Sequence, residues 1–200
     1  MLEPAEFARG FRLAAPYSQY LADIPARERP SWDASAARAA LTPAQASLVR
    51  SWPRRMNVLV ISGSWCGDCV AQVPMLGAIA AAHPADPAGT DGPGIDLRLL
   101  ERNAHMELAD RLRICGGHRV PTVVFLNEDF DFVSVFGDRT LSRYRAIAAQ
   151  KLGAACPLPG ALPELNEYAA TLRDWLNEFE RVALLLALSP KLLARHAESR

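Results

Sequence analysis

No apolar stretch of this 200-residue chain is long enough to span a bilayer: the richest, residues 182–188, falls far short of the ~20 residues a span needs. Charge of one sign is equally lacking. Lys and Arg number 22 against 22 Asp and Glu, so neither nucleic acid nor an anionic membrane surface is an expected partner. The first residues hold no basic segment followed by an apolar run, so no secretory leader is read and a cytoplasmic location is expected. Four cysteines are too few for a disulfide scaffold. With one Cys-X-X-Cys and histidines scattered at 83, 105, 118 and 196, a four-ligand zinc site is not expected, and no metal is assigned. What remains is a chain with 50% hydrophobic residues, able to bury a substantial core.

Within that chain one segment carries chemistry, Trp65-Cys66-Gly67-Asp68-Cys69. It follows a β-branched apolar run, 57–62, that suits a strand buried on both faces. From Cys66 onward Val70, Val73, Met75, Leu76 and Ile79 recur mostly at helical spacing, with Pro74 set to kink the helix. Cys66 therefore falls at a helix N-terminus, where unpaired backbone N–H groups and the helix dipole favour a thiolate. It is the expected nucleophile. Cys69, one turn deeper, is the expected resolving thiol, able to attack a mixed disulfide on Cys66. The redox-active pair needs no dissociable cofactor.

Strand, Trp-Cys-Gly-Xaa-Cys, helix, a proline five residues beyond Cys69 and Arg119-Val120-Pro121-Thr122 before the run 123–126 together resemble the thioredoxin family. The resemblance covers residues 58–152 and implies an α/β thioredoxin fold, a central mixed sheet of about four strands flanked by helices. The expected order is strand 57–62, helix 66–82, strand 95–101, helix 105–113, strands 122–127 and 131–136 as a hairpin across Glu128-Asp129, and helix 140–151. It further implies that Pro121 is cis and that Trp65, Gly67, Val120 and Pro121 contact substrate. Phe136-Gly137-Asp138-Arg139 and the helical tail are similar to a bacterial thioredoxin-like group. Two departures stand out. The family's buried acid corresponds to Val60 and its lysine to Leu97, so Asp68 and Glu101 are the remaining proton acceptors. Asp68, at a position where thioredoxins carry proline, either raises the thiol pKa or accepts a proton from Cys69, and it is counted with Cys66 and Cys69 as catalytic.

The implied function is a thiol/disulfide oxidoreductase that reduces protein or small-molecule disulfides and is recharged by an upstream reductase or a thiol pool. The alternative is a non-catalytic binding or scaffold protein, or a redox sensor, that uses its helical extensions.

Three regions are expected: an N-terminal helical extension (1–55), the core (56–152), and a linker with a C-terminal helical extension (153–200). The first segment, holding Phe7, Phe11, Leu13, Tyr17 and Leu21, reads as helical until Ile24-Pro25. Asp33 is expected to cap a short helix, and Thr42-Pro43-Ala44-Gln45 to open another through a capping box. These helices either pack on the sheet or cover the redox site. Leu172, Trp175, Leu176, Phe179, Val182 and Leu186 form a helical stripe suited to packing within the chain or to a homodimer face; either a monomer or a homodimer is expected. Cys115 is expected to be buried and inert, with a third redox thiol as the alternative, and Cys156 falls in a linker. His118, three residues before Pro121, is read as a loop histidine open to solvent, with stabilisation of the Cys66 thiolate as the alternative.

Overall fold

Every residue from Met56 to Ser62 is buried, as the continuous apolar run requires of a central strand. The computed structural model describes residues 2–86, 92–152 and 166–198. Its elements run α1 (Pro4–Leu13), β1 (Ala15–Pro16), α2 (Tyr17–Ala22), α3 (Arg29–Arg38), α4 (Pro43–Arg50), β2 (Arg55–Ser62) and α5 (Gly67–Ala82). Then follow β3 (Gly94–Glu101), a 3-10 turn (Arg102–Ala104), α6 (Met106–Arg111), β4 (Thr122–Leu126), β5 (Phe132–Gly137), α7 (Leu141–Leu152), α8 (Glu167–Leu188) and α9 (Pro190–Glu198). The sheet order is β1-β3-β2-β4-β5. β2 and β3 are parallel, and the other pairings are antiparallel.

Strand alternation assigns each face its helices. Met56, Val58, Val60, Val123 and Phe125 face a cluster shared with α5 and α8, whereas Leu59, Leu100, Val124 and Leu126 meet Leu2, Phe7 and Phe11 of the N-terminal segment. The α8 stripe packs within the chain: Trp175 meets Phe136 edge-on at 5.0 Å, and Phe179 meets Phe125 in the same way at 5.0 Å. Leu184 and Leu188, on the other side of α8, stay exposed.

The structure differs from the sequence expectations at several points. The first helical segment is broken at Ala15–Pro16, which adds a fifth, two-residue edge strand to β3; Ala15 pairs with Leu99 and Pro16 with Arg98. A proline fits there because an edge strand need not donate on its outer side. Asp33 lies inside α3 and caps nothing, because Pro30 starts that helix earlier, behind Glu28. The α4 capping box forms as read, Thr42 Oγ1 accepting from Gln45 N at 3.2 Å and Gln45 Oε1 accepting from Thr42 N at 2.8 Å. Helix 105–113 contracts to α6. Cys115, expected to be buried, is exposed: Ile114 and Gly117 bridge to each other and lift it to the tip of a tight turn. Cys156 lies outside the described residues. Among those described, no helix is long and apolar enough to cross a membrane.

Candidate active site

Cys66 caps α5 in extended conformation, and Gly67 opens the helix. Its sulfur is half-buried and lies 3.6 Å from the carbonyl oxygen of Val120. The Val120–Pro121 bond is cis, as the resemblance implies. A hydrogen bond from the Cys69 thiol, helped by the backbone N–H groups of Cys69 and Asp68, brings the Cys66 thiol down to about 6 against the opposing effects of burial and the Asp68 charge. Cys69 is fully buried, and burial followed by its bond to Cys66 pushes its thiol far up. The two sulfurs thus differ in the sense that a nucleophile and a resolving thiol require.

Trp65 is 45% exposed beside Cys66. Its indole lies flat on Gly63, where a Cβ would come within 2.8 Å of the ring. Its N–H donates to Glu101 Oε1 at 3.1 Å, and the Arg102 guanidinium sits 4.5 Å from its ring centroid. Beyond Trp65 and Gly67 a groove of about 540 Å³ runs along α3, past Arg27, Ser31 and Ser35. The N-terminal extension therefore does both things considered for it: α1 packs on the sheet, and α3 walls the groove beside the Cys66 segment. Trp32 ties α3 to the segment ahead of Cys66, buried in α3 and donating from Nε1 to Ser64 O at 2.9 Å.

Asp68 turns away from the thiols toward two arginines. Arg139 reaches Oδ2 at 2.6 Å and Arg143 reaches Oδ1 at 2.5 Å. Arg139 also contacts Asp138, and Arg143 continues to Glu167 at 3.1 Å, so the first turn of α5 is tied to α7 and α8. Asp138 is itself a hub, bonded to Arg119 at 3.0 Å and to the Tyr144 hydroxyl. Burial raises its carboxyl, but those two hydrogen bonds, together with a backbone hydrogen bond and the Arg119 charge, outweigh it and hold the group below its ordinary value. With both oxygens engaged, Asp68 has an anchoring geometry. Asp68→Asn should lower stability by about 2 kcal/mol through the loss of charge-assisted bonds, and should move the Cys66 titration further down by removing a nearby negative charge. Urea unfolding and thiolate absorbance against pH would read the two effects. A Cys66 titration that moves up would refute this assignment of Asp68.

His118 takes Asp110 as its partner, Nε2 lying 2.6 Å from Oδ1, and turns to α6 for that contact. Val60 and Leu97, where the family's ion pair would stand, are both buried and apolar. The polar contacts that sequence reasoning missed are the arginine pair, the Tyr20 hydroxyl at 3.1 Å from Ser62 Oγ, and Gln72, whose amide donates to the Asp138 carbonyl oxygen at 3.0 Å and accepts from Trp175 Nε1 at 3.2 Å. Only Arg139 had a signal, as part of Phe136-Gly137-Asp138-Arg139.

A family model described as thioredoxin matches residues 14–150. The chain belongs to the thioredoxin family. That match reaches ahead of the sheet core and takes in α2, α3 and α4, the helices beside the thioredoxin motif. No curated protein matches. Among solved structures, a Pseudomonas aeruginosa protein of unknown function is 20% identical with a TM-score of 0.63, covering 94% of this chain and 98% of its own. An HIV epitope scaffold is also 20% identical, with a TM-score of 0.60, covering 86% of this chain and 96% of its own. At that identity the two likenesses carry the thioredoxin fold alone.

Proposed function

We propose that this thioredoxin-family chain is a thiol/disulfide oxidoreductase in which Cys66 attacks and Cys69 resolves. The observation that carries the reading is the asymmetry of the pair: an accessible, acidified Cys66 at the head of α5, hydrogen-bonded by a fully buried Cys69. The Cys66 thiolate attacks a substrate disulfide, forming a mixed disulfide and releasing one thiol. Cys69 then attacks the Cys66 sulfur, forming the internal disulfide and releasing the second thiol. Two electrons pass from the dithiol to the substrate, and an upstream reductase or thiol pool returns them. Substrates are protein or small-molecule disulfides held against Val120, Pro121, Trp65 and Gly67, with flanking residues in the groove along α3. Asp68 acts in this scheme as an anchor for α5.

A second reading is favoured by the apolar pair Val60 and Leu97, which leaves the buried thiol without the family's acid. It makes the chain a scaffold or sensor with an idle dithiol. Equilibration in graded thiol/disulfide buffers, together with thiolate titration, separates the two. The oxidoreductase should form the Cys66–Cys69 disulfide with a potential near the thioredoxin value of about −270 mV. One thiol should titrate near 6. Absence of the internal disulfide in every buffer would leave the scaffold.

A further inference from the structure

Resolution requires Cys69 to lose a proton while fully buried, and the acid that other family members use there is absent. Asp68 is held by two arginines. Another chain of polar groups leaves the thiol instead. Ser62, also fully buried, lies in hydrogen-bonding contact with Cys69. The Tyr20 hydroxyl is 3.1 Å from Ser62 Oγ and 3.1 Å from Glu101 Oε2. Glu101 is fixed by the Ser64 N–H at 3.0 Å and the Trp65 indole N–H at 3.1 Å.

We propose that Ser62, Tyr20 and Glu101 form a relay that carries the Cys69 proton to solvent when the mixed disulfide is resolved, an inference that rests on the oxidoreductase reading. The donors and acceptors fix its direction. An ionised carboxylate only accepts, and Tyr20 has one proton, so that proton goes to Glu101. The Tyr20 oxygen then accepts from Ser62. Once Cys66 is in the mixed disulfide, the Cys69 S–H that donates to Cys66 in the dithiol turns to Ser62, and after the transfer the Ser62 hydroxyl donates back to the Cys69 thiolate. Burial, with the nearby Glu101 and Cys69 charges, holds the phenol far above its ordinary value despite the Ser62 bond, so Tyr20 passes protons without storing a charge. Tyr20, Ser64, Glu101 and His105 line a depression of about 310 Å³, through which the proton leaves.

The step balances. The S–H proton of Cys69 moves to Ser62 as the Ser62 proton moves to Tyr20 and the Tyr20 proton to Glu101. The new thiolate forms the bond to Cys66 and breaks the bond between Cys66 and the substrate sulfur. The departing thiolate takes the electron pair and is protonated from water. Tyr20 and Glu101 act through Ser62 and are positioning residues. Charged and titratable groups around the pair are Cys66 and Asp68 with its two arginines, Tyr20 from α2, and Glu101 at the end of β3. Arg102 lies beyond, over Trp65, and Asp23 and His105 border the depression.

Substoichiometric dithiobis(nitrobenzoate), added to the reduced full chain carrying Cys115→Ser and Cys156→Ser, reads the two steps separately. The first coloured thiolate reports attack by Cys66 and the second reports resolution by Cys69. Tyr20→Phe and Glu101→Gln should slow the second release about tenfold or more and leave the first within about twofold. The second release should be nearly flat with pH in the parent and should climb with pH in both variants, where hydroxide must do the relay's work. Glu101→Asp, which keeps the carboxylate, should recover part of the loss. A second release unchanged in both variants, or both releases slowed alike, would overturn the relay. Absence of any first release in the parent would overturn the oxidoreductase reading, and the relay with it. If Tyr20→Phe fails to fold, Glu101→Gln carries the test.

Discussion

Gly137→Ala should unfold this chain at markedly lower denaturant, with a loss of about 3–5 kcal/mol in urea melts. Two independent costs meet at that position. Gly137 has a φ of +126°, a conformation that L side chains rarely adopt. Its added Cβ would also lie 2.2 Å from the carbonyl oxygen of Pro121. The obstacle is backbone, so no side-chain rotation relieves it. Either the end of the β4–β5 pairing opens, where Gly137 faces Thr122, or the Val120-Pro121 segment shifts away from Cys66. The second route would change the reactivity of Cys66 in whatever fraction stays folded. Gly67→Ala is the matched contrast, because nothing lies within 4 Å of its added Cβ. Its stability should stay within about 0.5 kcal/mol of the parent. Equal losses in the two variants would show that the close approach of Gly137 to Pro121 is not what limits stability.

That close approach also marks the boundary of what a sequence can disclose. The core order from residue 56 to 152 was legible because each strand is a short apolar run and the helix after Cys66 carries its own period, and ahead of the core Thr42 and Gln45 marked the start of α4 in the same local way. The Cys-X-X-Cys motif was legible because its two cysteines sit at fixed spacing between two such elements. Residues that act through distant partners leave no period. Tyr20 meets Ser62 across 42 positions and Glu101 across 81, and its helix α2 is only six residues long. Ala15–Pro16 pairs over two residues, too few for alternation to register. Asp68 read as a free carboxylate beside a thiol because its arginines lie 71 and 75 positions away, by subtraction of the residue numbers. Cys115 was misjudged on local grounds: cysteines favour burial on average, but a turn between Ile114 and Gly117 overrode that preference.

Cys66→Ser and Cys69→Ser should fail in different ways, and the difference carries more information than either loss. A serine hydroxyl at position 66 is not ionised near neutral pH and forms no disulfide, so disulfide reduction should fall to the uncatalysed background, a loss of about a thousandfold or more. Cys69→Ser keeps the nucleophile. The serine hydroxyl at position 69 can still donate to the Cys66 sulfur, the contact that is the largest cause of its acidified thiol, so attack should persist and the Cys66 titration should stay below its ordinary value. The substitution removes the resolving sulfur, and the chain should stall as a mixed disulfide on Cys66, visible as a mass increase that a reductant reverses. The double variant, lacking both sulfurs, should capture nothing. If Cys69→Ser and the double variant retain the same proteins from an extract, the contacts belong to the surface and not to Cys66, and the chain binds as a scaffold. If only Cys69→Ser retains them, through a reducible bond, then capture runs through the sulfur at the head of α5, and the chain acts on its partners as an oxidoreductase.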